Sequence, residues 1–112
     1  MRSISIEAFH SNLASKGANP DVDFVNVCTP VEFREKRIAG VRNVPLDEIE
    51  RRVDEFRGKK TIYVHCRSGN RSRQAIALLK GLGISADLVN VEGGMLAWEK
   101  ASLPTQGDLN GN

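Results

Sequence analysis

The segment Thr61-Ile62-Tyr63-Val64-His65-Cys66-Arg67-Ser68-Gly69-Asn70-Arg71-Ser72 joins an apolar, β-branched run to a helical pattern through a short polar loop. Thr61 to Val64 have strand character, and Ser72 to Lys80 carry apolar residues at helical spacing, so Cys66 to Arg71 must turn the chain between them. A strand-to-helix loop of this kind aims backbone N–H groups inward. A thiolate held there is stabilised by those donors, by the positive end of the helix dipole and by Arg67 and Arg71. That environment turns a thiol of pKa ~8.5 into a nucleophile at neutral pH. Gly69 and Asn70 tolerate positive φ, as a loop curling around one centre requires. Cys66 is therefore the candidate nucleophile. Arg67, Ser68, Gly69, Asn70 and Arg71 form a candidate cradle for an anion. An isolated cysteine is more often a buried, inert thiol; the strand-to-helix position, the paired arginines and the Gly-Asn step together favour chemistry.

Composition bounds what the rest of the chain can be. Its 112 residues suffice for one hydrophobic core and not for two. Apolar residues at 40% and charged residues at 27% exclude an extended disordered chain. A net charge of +2, no long Lys/Arg run and 5% aromatics speak against a nucleic-acid partner. No apolar run approaches the length of a membrane span, and Met1 to Glu7 does not resemble a secretory signal, so a cytoplasmic location and no membrane partner are expected. Cys28 and Cys66 show neither metal-ligand spacing nor a disulfide framework, which fits a reducing compartment and a thiol role without metal or organic cofactor.

Strands and helices alternate along the chain. Ser3 to Ile6 is a short edge strand by pattern, and Ile6 to Ala14 continue as an amphipathic helix stopped before Pro20. Asp23 to Val27 is a second strand. Thr29-Pro30-Val31-Glu32 then carries the marks of a helix start: an N-cap threonine, proline at the first helical position, and a glutamate placed as in a capping box. Val41 to Pro45 is briefly extended, and Leu46, Ile49, Val53 and Phe56 predict a helix over Leu46 to Phe56. Ala86 to Val91 is the last strand, Met95 to Lys100 the last helix, and Thr105 to Asn112 an expected loose tail after a domain spanning residues 1–104. The alternation predicts an α/β domain with a mainly parallel sheet and a site at the carboxyl ends of its strands. Cys28 and Cys66 each follow a strand directly and so belong on that one edge. His65 is expected to make a structural hydrogen bond rather than act as a base, Ser72 to cap the following helix, and Trp98 and Met95 to serve as core or pocket wall.

Three blocks in this order resemble the rhodanese-like sulfurtransferase family: Asn26-Val27-Cys28-Thr29-Pro30-Val31-Glu32-Phe33, Ile38-Ala39-Gly40-Val41-Arg42-Asn43-Val44-Pro45, and the Cys66 to Arg71 loop followed by Glu92-Gly93-Gly94 and Trp98. The resemblance covers Ile4 to Pro104. It implies a three-layer α/β/α fold with a five-stranded, mainly parallel central sheet. It also implies a double displacement in which Cys66 takes a sulfane sulfur from a small anionic donor such as thiosulfate and passes it to cyanide or a thiol, including a thiol protein. Arg67 and Arg71 would hold the donor, while Ser68, Gly69 and Asn70 would offer amides. Phosphatases built on this fold have a longer loop, with the arginine one position further from the cysteine, so phosphoryl transfer ranks below sulfur transfer. A sulfur-relay or protein-interaction module that turns over poorly alone is the other reading.

Two departures stand out. Asn26 replaces the family's usual aspartate, and Cys28 its usual arginine. In the family's sheet order the strands before Cys28 and Cys66 are neighbours, ~4.8 Å apart, and a disulfide needs Cα atoms within ~4.4–6.8 Å. Cys28 is thus either a redox partner of Cys66 or a small thiol filling the arginine's place.

Overall fold

The computed structural model describes residues 1–107. Five strands, β1 (Arg2–Ile4), β2 (Val22–Asn26), β3 (Arg42–Asn43), β4 (Thr61–His65) and β5 (Asp87–Val91), form one sheet in the order β1-β5-β4-β2-β3. Every pairing in it is parallel. Its central strands β2, β4 and β5 are nearly continuous apolar runs, as strands covered on both faces must be.

Period-two alternation divides those strands between two cores. Val25, Ile62, Val64 and Leu88 point to one face, where Ala75, Ile76 and Leu79 of α3 (Asn70–Gly81) cover them with Ile49 and Phe56. Phe24, Tyr63, Val89 and Val91 point to the other, under Ile6 and Phe9 of α1 (Ile6–Lys16) and Met95 and Trp98 of α4 (Gly94–Lys100). The result is the three-layer α/β/α arrangement that the family resemblance implies. Each large apolar side chain removed from water contributes about 1.5–3 kcal/mol, so the two faces together supply most of the driving force.

The capping box is present as read. Thr29 Oγ1 accepts from Glu32 N–H at 3.2 Å, and Glu32 Oε1 accepts from Thr29 N–H at 3.0 Å, opening α2 (Pro30–Glu35). Ser5, expected inside the first strand, instead ends it and caps α1, accepting from Ala8 N–H at 3.1 Å. The helix expected over Leu46 to Phe56 is replaced by two 3₁₀ turns, Leu46–Glu48 and Val53–Phe56. Leu46/Ile49 and Val53/Phe56 are each three apart, a spacing that three residues per turn satisfies. Pro45 offers no capping side chain to a first α turn. The four apolar residues still face the core, so the periodicity located the buried face and mistook the coil.

Of the segment expected to be a tail, Thr105 to Gly107 are described. Gln106 exchanges two backbone hydrogen bonds with Arg37, at 2.8 and 2.9 Å, and Gly107 is buried. The remainder of that segment, residues 108–112, lies outside the described residues. Among the described residues no helix is long and apolar enough to cross a membrane.

Candidate active site

The register Asn26↔His65 brings the ends of β2 and β4 side by side, so the turns after them, with Cys28 and Cys66, share the carboxyl edge of the sheet. Cys66 leaves β4 and enters a loop that closes at Gly69, whose φ of +112° is open to glycine and strained for any other residue. α3 begins at Asn70, two residues earlier than the apolar pattern indicated, so the cradle is partly the first turn of a helix.

What turns the loop's amides inward is the N-terminus of α4. Met95 N–H donates to the Cys66 carbonyl at 2.9 Å and Leu96 N–H to the Arg67 carbonyl at 3.0 Å. In a trans peptide the carbonyl and the next N–H point opposite ways, so drawing these oxygens toward α4 aims the N–H groups of Arg67 and Ser68 toward the other side. Gly94 makes the approach feasible: a Cβ there would lie 2.2 Å from the Cys66 oxygen and 2.8 Å from that of Arg67. Gly94 is therefore required for close backbone approach, and Gly93, at a φ of +74°, for the turn before it.

Gly69 N–H donates to Cys66 Sγ at 3.0 Å, and Ser72 Oγ lies 3.5 Å from the sulfur. Burial opposes charge on Cys66. It is outweighed by the Ser72 hydroxyl and by the backbone amides of Ser72, Gly69 and Ser68, which together hold the thiol below its ordinary value. Ser72, expected to cap the helix, lines the loop instead: Gly69 occupies the cap, and the Ser72 hydroxyl turns inward. Ser68 and Asn70 side chains are exposed, so what Ser68 brings to the sulfur is its backbone amide.

The two arginines part company. Arg71 forms a two-pronged pair with Glu32, at 2.6 and 3.0 Å, and its Nη2 lies 3.8 Å from Cys28 Sγ. This guanidinium fastens α3 to α2 across the sheet edge. The Arg71 hydrogen bond holds the Glu32 carboxyl down at about 2. Arg67 is exposed and lines a cavity of about 320 Å³ with Cys28, Glu32, Glu35, Lys36, Met95 and Glu99. Cys66, 1% exposed, lies beside that cavity and is not part of its wall.

Cys28 is set by a polar turn. Asn26 Oδ1 accepts from Cys28 N–H at 2.8 Å, while Asn43 Nδ2 donates to the carbonyls of Asn26 and Cys28 at 3.1 and 3.0 Å. Burial pushes the Cys28 thiol up to about 11, against the opposing pull of Arg71. His65 Nδ1 lies 3.2 Å from the Cys66 carbonyl and its ring packs on Phe9, an arrangement that fits the structural role expected of it. Burial pushes its pKa down to about 4, so the ring is neutral at pH 7.

Sequence reading missed Glu32 as the Arg71 partner and Asn90 altogether. Asn90 is fully buried on β5 with its Oδ1 2.5 Å from Ser72 Oγ. The available signal was one amide inside the apolar run Leu88-Val89-Asn90-Val91.

A parallel sheet covered on both faces, with a cysteine loop at its carboxyl edge, places the chain among three-layer α/β proteins. The chain belongs to the rhodanese-like domain family, whose model matches residues 8–101. It is 34% identical over 84 residues to a sulfurtransferase of Allochromatium vinosum, covering 75% of this chain and 78% of that protein. It is 34% identical over 95 residues to the putative sulfur carrier protein YrkF of Bacillus subtilis, covering 85% of this chain and 49% of that one. The chain thus spans about half the length of that relative. Among solved structures, a rhodanese-like domain protein of Staphylococcus aureus superposes with a TM-score of 0.76 at 34% identity, covering 88% of this chain and 91% of that one.

Proposed function

We propose that this protein is a sulfurtransferase that carries sulfane sulfur as a persulfide on Cys66. The Cys66 thiolate attacks the outer sulfur of a donor such as thiosulfate, the donor's S–S bond breaks, and sulfite leaves with the bonding pair. The persulfide is itself an anion and is held by the same amides of Ser68, Gly69 and Ser72. Cyanide or a thiolate then attacks the outer sulfur, leaving as thiocyanate or a new persulfide and restoring the Cys66 thiolate. Arg67 attracts the anionic donor at the mouth of the loop, while Arg71 acts mainly by holding the loop to α2. The observation that carries this reading is a buried sulfur ringed by inward amides and displaced toward its ionised form.

Incubation with thiosulfate is expected to add one sulfur atom to Cys66, and cyanide to remove it as thiocyanate. Cys66→Ser abolishes both steps. Loading without turnover supports the relay reading, which the likeness to a putative sulfur carrier favours. No loading with thiosulfate or with a low-molecular-weight persulfide refutes both.

Cys28 enters the proposal as a redox partner. A Cys66 sulfenic acid formed by peroxide condenses with the Cys28 thiol, losing water and leaving a disulfide across the β2 and β4 ends. Its raised pKa keeps Cys28 protonated and quiet during ordinary turnover. Peptide mapping after peroxide is expected to show a linked Cys28–Cys66 pair; its absence leaves Cys28 as packing.

A further inference from the structure

A hydroxyl has one hydrogen, and that of Ser72 has three claimants. Its Oγ lies 3.0 Å from the Gly69 carbonyl, 2.5 Å from Asn90 Oδ1 and 3.5 Å from Cys66 Sγ. The Ser72–Asn90 contact behind the sulfur is sealed from water: each of the two residues exposes 0% of its surface. On the far side of the same amide, Asn90 Nδ2 has no hydrogen-bond partner. A buried amide donor without a partner carries a penalty of its own, so its placement next to the reactive thiol calls for a reason.

We propose that Asn90 is a positioning residue for Cys66, its side-chain amide turning over to direct the Ser72 hydrogen at the sulfur when the sulfur is an anion. With Cys66 as a thiol, S–H donates to Ser72 Oγ, Ser72 O–H donates to Asn90 Oδ1, and the chain of hydrogens is complete. With Cys66 as a thiolate or persulfide anion, the sulfur has no hydrogen to give and must receive one. Ser72 then donates to the charged sulfur in preference to the neutral Gly69 carbonyl, and an unturned Asn90 would face its lone pairs with another lone pair at 2.5 Å. Rotation of the amide brings Nδ2 to that place, and Nδ2 donates to Ser72 Oγ. Nδ2 breaks no hydrogen bond to make this move, because it has none. No proton or electron is gained or lost in the rotation itself. Asn supplies a donor and an acceptor on one pivot at every pH, which neither an ionised Asp nor Leu does.

This inference rests on the ionised-thiol reading of Cys66, and the test separates the two. Site-resolved alkylation of the Cys66 peptide by iodoacetamide, followed against pH, reports its ionisation in the full chain. Wild type is expected to titrate below an ordinary thiol. Asn90→Leu and Asn90→Asp are expected to raise the midpoint by about one pH unit, the change that loss of a single hydrogen bond to the charged form brings, with about tenfold slower alkylation below it. Because Asn90 acts through Ser72, Asn90→Leu is expected to add no further shift in a Ser72→Ala background. Side-chain amide NMR of wild-type Asn90 gives a readout that does not depend on a variant folding: its two amide protons should shift with the Cys66 midpoint, and be insensitive to pH there in Cys66→Ser. An ordinary wild-type midpoint overturns both the thiolate reading and this assignment. A low wild-type midpoint with an unresponsive Asn90 amide, or with Asn90→Leu acting equally in the Ser72→Ala background, overturns the Asn90 assignment alone.

Discussion

Replacing Gly94 by alanine should disarm Cys66 without touching it. A Cβ at this position would sit 2.2 Å from the Cys66 oxygen, where real contacts do not fall below 3.0 Å, so loop and helix must part by roughly 1 Å. The φ of +51° adds about 1–2 kcal/mol of left-handed strain. Separation also weakens the bonds from Met95 N–H to Cys66 O and from Leu96 N–H to Arg67 O, each worth about 1 kcal/mol. The sum is about 3–4 kcal/mol of stability. Once those carbonyls are released, the amide of Ser68 is no longer held toward the sulfur. A displacement near 1 Å at a reacting centre costs on the order of 100-fold in rate. The assay is the rate of sulfur loading at Cys66 from thiosulfate, with the alkylation midpoint beside it. Gly93→Ala is the comparison: its Cβ meets Ala97 Cβ at 2.6 Å, and its three nearest neighbours all belong to Ala97, so it should lose stability while retaining a low midpoint. A folded Gly94→Ala protein that loads sulfur at the wild-type rate with an unchanged midpoint would refute the account of how the cradle is built.

Further perturbations bear on the frame around the loop. His65 has its pKa lowered from 6.5 to about 4 by burial, so the unfolded chain binds more protons as pH falls. Stability should be intact above pH 6.5, decline toward pH 4 by about 3 kcal/mol, and level off below; urea midpoints for His65→Gln should lack that slope. Glu32, lowered from 4.5 to about 2, contributes stability present above pH 4.5 and lost as pH falls through 2. With 32% of its side chain exposed, solvent screening holds the contribution to about 1 kcal/mol, and Glu32→Gln should erase that acid sensitivity in denaturant titrations. Asp23, its side chain 8% exposed, is held by Arg42 at 3.0 and 2.8 Å. Arg42→Met leaves that carboxylate buried and unpaired, and a loss of about 3 kcal/mol is expected by chemical denaturation; a change below 1 kcal/mol would show that water or another cation replaces the guanidinium.

Local chemistry made much of this protein legible from its residues. The β-branched Thr61 to Val64 run, the Gly-Asn step and the helical spacing beyond it depend on neighbours a few positions away, as does the Thr29–Glu32 capping box. These features located the sheet edge and the loop. Spacing was a poorer guide where two local geometries satisfy the same pattern, as in Leu46 to Phe56, whose apolar residues suit two 3₁₀ turns as well as a helix. The partners that decide how the loop works are distant in sequence. Arg71 meets Glu32 and Ser72 meets Asn90, while the Cys66 carbonyl meets Met95 N–H. Each pairing exists only because the strand order places β2, β4 and β5 side by side. Residue types alone therefore pointed to Cys66 as the candidate nucleophile. Folding determined which arginine faces the cavity, which hydroxyl faces the sulfur and which way the peptide dipoles point, because those are consequences of contacts that close only when the sheet assembles.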